Sequence, residues 1–300
     1  MIIFINRQPV VGPWGGGNKT LTSIINRLIE MGHTVTNTLR QDVDVIFCVD
    51  PRPSNDGLTY NDLFDFSRNK KIRIIQRVGD VGTHGKPDLT NLVKMTTSIS
   101  DRVIFTSEWA KNYIGTQRSV DVIPNGAMPV FYEGRKFRPS VGKPKVVTHH
   151  WSNNPMKGID NYERLYREVK AGNLPFDFTF IGRSSNTLAE CTIAPVSEEI
   201  LSTMLPQFNV YLSSSLYEAG ANHIVEAMAV GLPVVYSVDG GSIPEYCGSR
   251  GKSYSSYSEM VDAIIETIKN EEDQRTKSLT YVRTINDVVD EYVSILCGEA

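Results

Sequence analysis

Apolar residues along this chain come in short runs: IIFI at 2–5, VIFCV at 45–49 and VIF at 103–105 are unbroken, and IRIIQRV at 72–78 is interrupted at Arg73, Gln76 and Arg77. Between them lie longer stretches in which apolar positions recur every three or four residues. The first pattern predicts strands covered on both faces; the second predicts amphipathic helices packed over them. The expected elements are a strand over 2–6, a helix over 20–31, a strand over 44–49 and a helix over 60–69. A strand over 72–78, a helix over 89–98, a strand over 102–107, a short helix from Glu108 and a strand over 120–124 follow. Such alternation predicts a doubly wound parallel α/β domain.

The pattern lapses over YEGRKFRPSVGKPK, residues 132–145, which is basic, rich in Gly and Pro and reads as a linker. It then restarts with strands expected over 146–150, 176–181, 210–213 and 233–237. Helices are expected over 159–169, 197–205, 222–230 and 257–269, and one long final helix over 273–296. The predicted organisation is a first Rossmann-like domain over 1–135 and a second over 145–285. Residues 286–300 form a C-terminal helix end that can pack back on the first domain. Two such domains would place their C-terminal strand ends around one interdomain cleft, where open α/β sheets bind ligands.

Composition adds mostly exclusions. The chain has 300 residues, 40% apolar and 22% charged, with a net charge of −3. That balance gives no reason to expect nucleic acid as a partner. Four cysteines without C-x-x-C or zinc spacing suit reduced thiols in a cytoplasmic protein. No apolar run has membrane-spanning length, so any expected membrane contact is peripheral. Asp42-Val43-Asp44 is the one D-x-D triplet of note, and it precedes a buried strand, so no metal site is expected.

VGPWGGGNKTLTSI, residues 11–24, raises the question of a phosphate loop. The nucleoside-triphosphate signature G-x-x-x-x-G-K-[ST] needs glycine where this chain has Pro13 and Asn18, so that reading is excluded. What remains is a strand, a turn of Gly15, Gly16 and Gly17, and a helix starting at Asn18 or Thr20. The turn either admits a ligand close to the backbone or simply reverses the chain.

SSSLYEAGANHIVEAMAVGLPVVYS, residues 213–237, is the most informative stretch. Glu218 sits on a loop after a strand, Glu226 lies eight positions on inside a helix, and Asn222 is a good N-cap. With the following VDGGSIPEY, this segment resembles the E-x7-E signature of glycosyltransferase family 4. That family comprises GT-B-fold retaining enzymes using nucleotide-sugar donors. The resemblance implies that Glu218 holds the transferring sugar and Glu226 the nucleotide ribose, while amides of Ala221, Asn222, His223 and Ile224 meet the diphosphate. It also implies a phosphate role for Lys157 in HHWSNNPMKGID. The family's arginine five residues earlier is Ser152 here, and Arg183 or His150 could substitute for it. The backbone around Val196 would face the nucleobase. In the first domain, Asp80 and His84 in the loop of IQRVGDVGTHGKPDL would lie near the reacting sugar. Turn chemistry explains Asp80 equally well. Gly16, Gly17 and Asn18 match the family's loop facing acceptor and phosphates.

The implied activity is metal-independent transfer of a hexosyl or pentosyl group to a hydroxyl, with the nucleotide sugar as co-substrate and no cofactor. A nucleotide-sugar epimerase of the same fold, or a non-catalytic sugar-nucleotide-binding subunit, are the alternatives.

Overall fold

The computed structural model describes residues 1–10, 16–54, 56–116, 118–136, 138 and 141–298. The expected turn residue Gly15 lies outside them. The chain divides into two units, Met1–Asn125 with Ile285–Ala300, and Gly126–Thr284.

The first unit runs β1 (Ile2–Ile5), α1 (Gly16–Glu30), β2 (Thr34–Thr36), β3 (Val45–Cys48), α2 (Tyr60–Lys70), β4 (Arg73–Val78), α3 (Pro87–Ile99), β5 (Arg102–Phe105), α4 (Glu108–Ile114) and β6 (Val120–Val122). Its sheet has the order β2-β1-β3-β4-β5-β6, and every pairing is parallel. β3 is buried at all four positions, as a strand sandwiched between helices must be. Local chemistry sets the helix starts: Thr59 and Asp62 form a capping box on α2, and Ser107 accepts the Ala110 amide at α4.

The second unit runs α5 (Pro129–Glu133), β7 (Lys145–His150), α6 (Ile159–Lys170), β8 (Asp177–Gly182), β9 (Thr192–Ile193), α7 (Glu198–Met204), β10 (Val210–Ser213), α8 (Asn222–Ala229), β11 (Val234–Ser237), α9 (Ile243–Cys247), β12 (Gly251–Tyr254), α10 (Tyr257–Lys269) and α11 (Glu271–Leu279). α12 (Ile285–Cys297) then returns to the first unit. The second sheet, again parallel throughout, has the order β12-β11-β10-β7-β8-β9. One apolar cluster lies under α8 around Ile224, Met228 and Tyr211, and another under α6 and α10 around Tyr162, Phe180 and Ile264.

Four sequence expectations change. The long final helix is two helices, because residues 280–284 leave helical geometry between elements that belong to different units. Tyr281 is buried in the second unit's core, whereas Tyr292 meets Phe47 of the first at 6.0 Å between ring centroids. The start of the linker is folded: Arg135 donates to the carbonyls of Ala229 (2.7 Å) and Tyr281 (2.5 Å) and lies over the Tyr132 ring. Helix α1 begins at Gly16, ahead of the expected start. The strands β2, β9 and β12 carry no long apolar run; β2 and β12 are edge strands with polar residues and β9 is a two-residue edge.

Candidate active site

The second sheet is built outward from β7: β8 and β9 lie on one side of it, β10, β11 and β12 on the other. The strand order thus reverses between β7 and β10, the position where doubly wound sheets bind ligands beyond their strand ends. Both strands run into loops bearing the candidate residues. After β7 the chain passes Ser152, whose hydroxyl accepts the Asn154 amide at 3.2 Å, and a short 3-10 turn over Pro155–Lys157. After β10 it passes Ser214 and Ser215 to reach Glu218. The two loops are tied by the Leu216 amide donating to the Met156 carbonyl at 2.8 Å.

This tie brings Lys157 and Glu218 together. Lys157 Nζ lies 2.6 Å from Glu218 Oε1, with both side chains less than one fifth exposed. The Glu218 backbone is fixed as well: its amide donates to the Gly240 carbonyl at 3.2 Å, and its carbonyl accepts the Ser242 amide at 2.8 Å. The glycine pair of VDGGSIPEY has a steric reason here. Gly241 has φ +70°, and a Cβ on it would sit 2.5 Å from the Glu218 amide and carbonyl. Tyr217, just before Glu218, also holds positive φ (51°), a strained state for a non-glycine residue.

Glu226 points into a different setting. It is 5% exposed, and His149 Nε2–H donates to its Oε2 at 2.7 Å. His149 is itself buried at the C-terminal end of β7, edge-on to Tyr211 at 5.4 Å, and its Nδ1 has no hydrogen-bond partner among the described residues. Sequence reasoning missed His149, which carries no motif. His150, named there as a substitute cation, is instead a buried member of a polar network. Its Nε2 lies 3.0 Å from the Tyr162 hydroxyl, which also accepts the Ser214 amide at 2.8 Å.

The start of α8 differs from expectation in two ways. Asn222 is its first helical residue, and the cap position is Ala221 with no side-chain cap. Of the four amides expected to face a diphosphate, Ala221 donates to Ser242 Oγ at 3.2 Å and Ile224 to the Ala221 carbonyl at 3.2 Å. Only those of Asn222 and His223 are left for that task. The His223 ring is held by Ser213 Oγ at 3.0 Å, and burial pushes its pKa down to about 3, so it is neutral there. Arg183 has an exposed side chain, with its amide on the His150 carbonyl at 3.0 Å. Val196 is half-buried against the core beneath α8.

In the first unit, Asp80 follows β4. Its Oδ1 accepts the Gly82 amide at 2.9 Å and its Oδ2 pairs with Lys86 Nζ at 2.7 Å, so its carboxylate shapes the turn. His84 is half-buried in the same loop. Gly16 and Gly17 open α1. The Asn18 amide is committed to the backbone of Val10, with both bonds at 2.7 Å, so that side chain organises the turn. Among the described residues no group of three or more His, Cys, Asp or Glu is placed to hold a metal ion, and no helix is long and apolar enough to cross a membrane.

Residues 135–281, which include the whole second sheet, match the family model of glycosyl transferases group 1. Solved structures share the architecture along the full chain. HepE of Anabaena, in complex with UDP-glucose, superposes with a TM-score of 0.72 at 15% identity, covering 99% of each chain. Sucrose-phosphate synthase from Thermosynechococcus elongatus gives 0.69 at 14% identity, covering 99% of this chain and 98% of that one. A glycosyltransferase from Rickettsia africae gives 0.65 at 10% identity, with 99% and 98% covered. None of the curated proteins matches in sequence. The fold is therefore GT-B.

Proposed function

We propose that this protein is a retaining glycosyltransferase that moves a sugar from a nucleotide-diphosphate donor to a hydroxyl acceptor. The observation that carries the reading is the Lys157–Glu218 pair at the reversal point of the second sheet. An ammonium has three donors, so Lys157 can hold Glu218 and a phosphate oxygen together. The Asn222 and His223 amides at the uncapped tip of α8 add donors and a partial positive charge. Together they neutralise the charge that builds on the departing diphosphate, with no metal assigned to that role. Glu218 accepts from hydroxyls of the transferring sugar, and Glu226, steadied by His149, accepts from the ribose.

The match to group 1 glycosyl transferases and the structural likeness to HepE, solved with UDP-glucose, make UDP-sugars the first donors to test. The test is turnover of a panel of UDP-, GDP-, ADP- and dTDP-sugars with hydroxyl acceptors in the presence of EDTA, with the product anomer read by NMR. One donor is expected to turn over with retained configuration, and Glu218→Gln to lower kcat/KM at least about a hundredfold. Full activity in the variant, an inverted product or loss of activity in EDTA would each overturn the corresponding part. No turnover of any donor overturns the enzymatic reading.

A further inference from the structure

One aromatic side chain of the second unit stands among the candidate residues with no part in the scheme above. Trp151 is the first residue after β7, at the ligand-binding end of the second sheet. Successive side chains of a strand point to opposite faces, and the rings here follow that alternation. His150 is turned to the α6 side, its ring 5.7 Å from that of Tyr162 and 5.9 Å from that of Phe180. His149 and Trp151 share the other face, where their rings meet edge-on at 6.4 Å. Trp151 therefore lies one pleat beyond the His149–Glu226 pair, towards the strand end where ligands bind.

The indole is only half-buried and packs against the core cluster beneath α8. Val196, ahead of α7, packs against the same cluster. Part of a large apolar ring system is thus left open next to the carboxylate proposed to hold a ribose. A ribose whose hydroxyls rest on Glu226 carries its base on a neighbouring carbon, which brings base and indole within each other's reach. Flat rings at such a distance gain by stacking as well as by the apolar area they bury.

We infer that Trp151 is the platform on which the donor's nucleobase stacks, so that much of the base's share of the affinity comes through its face. Every base has a π-face, and a base stacked on an aromatic side chain gains roughly tenfold to a hundredfold in affinity. The inference rests on the nucleotide-donor reading for the identity of the ligand and adds a side chain which that reading does not use. Its test needs binding alone, without turnover.

The experiment is calorimetry of the full chain with UDP, GDP, ADP, dTDP and inorganic pyrophosphate, for wild type, Trp151→Leu and Trp151→Phe, alongside tryptophan fluorescence. Trp151→Leu keeps an apolar side chain on the core and removes the ring. It is expected to weaken the best-bound nucleotide by roughly tenfold to a hundredfold and to leave pyrophosphate, which has no base, within about twofold of wild type. Trp151→Phe restores a smaller ring and should recover nucleotide binding to within a few-fold. Because the chain has three tryptophans, the signal of Trp151 is the part of the nucleotide-induced quench that Trp151→Phe loses. That part is expected to be most of the quench, and pyrophosphate should produce none. Nucleotide affinity unchanged in Trp151→Leu, an equal loss for pyrophosphate, or a phenylalanine variant no better than the leucine one overturns the stack and leaves the donor reading standing. No nucleotide bound by wild type overturns both. Trp151-dependent binding with no sugar transfer from any donor upholds the stack and refutes only the transferase reading.

Discussion

His149→Ala isolates the support of Glu226. The Glu226 side chain is 6% exposed and the His149 side chain 2%, so water cannot easily replace the 2.7 Å bond between them. A hydrogen bond to a charged group contributes about 1.5–3 kcal/mol, and the removed ring also leaves a void beside Tyr211 and His223. If Glu226 must be held in one orientation to accept from a ribose, that energy appears as weaker nucleotide binding, roughly tenfold to a hundredfold in Kd. Calorimetry with the preferred nucleoside diphosphate reads this directly, and urea unfolding reads the void separately. His149→Gln can again present an N–H near the old Nε2 position. It is expected to recover Kd to within a few-fold while remaining less stable than wild type. A folded His149→Ala protein that binds nucleotide as wild type does refutes the argument, as does a His149→Gln protein that binds no better than the alanine variant.

Two further outcomes follow from the site's neighbours. His223 has its pKa depressed to about 3 by burial against an ordinary value of 6.5, so between those limits the unfolded chain takes up a proton that the folded one refuses. This group's contribution to stability is fully present above pH 6.5 and is lost as pH falls towards 3, at up to about 1.4 kcal/mol per unit; His223→Gln should flatten that part of a urea-midpoint profile, and an unchanged slope would contradict it. Gly241→Ala forces a Cβ against the Glu218 backbone at a positive φ, so it should lower stability by about 2–4 kcal/mol and cut kcat/KM at least about tenfold; a variant with unaltered stability and rate would show that the loop holding Glu218 is not built as argued.

The sequence made some of this legible because the relevant physics is local. Strands buried on both faces need continuous apolar runs, so β1, β3, β5, β10 and β11 are readable from the pattern alone. Glu218, Glu226, Lys157 and the glycine pair at 240–241 enter as candidates through the resemblance of their segments to a family's motifs. What escaped depends on distant partners. The break between α11 and α12 contains neither Gly nor Pro, and is set by the two units to which the flanking helices belong. The Ala221 amide is consumed by Ser242, twenty-one residues away, and Asn18 by Val10. His149 reads as an ordinary strand residue until the fold sets Glu226 beside it.

If a nucleoside diphosphate seats on Lys157 at the tip of α8, calorimetry of wild type and Lys157→Ala with UDP, GDP, ADP and dTDP reads that contact without turnover. Clear binding of at least one nucleotide by the wild type is expected, with a loss of about tenfold or more in affinity on removing the ammonium. Equal affinity in both proteins, or no binding of any of the four, would contradict it.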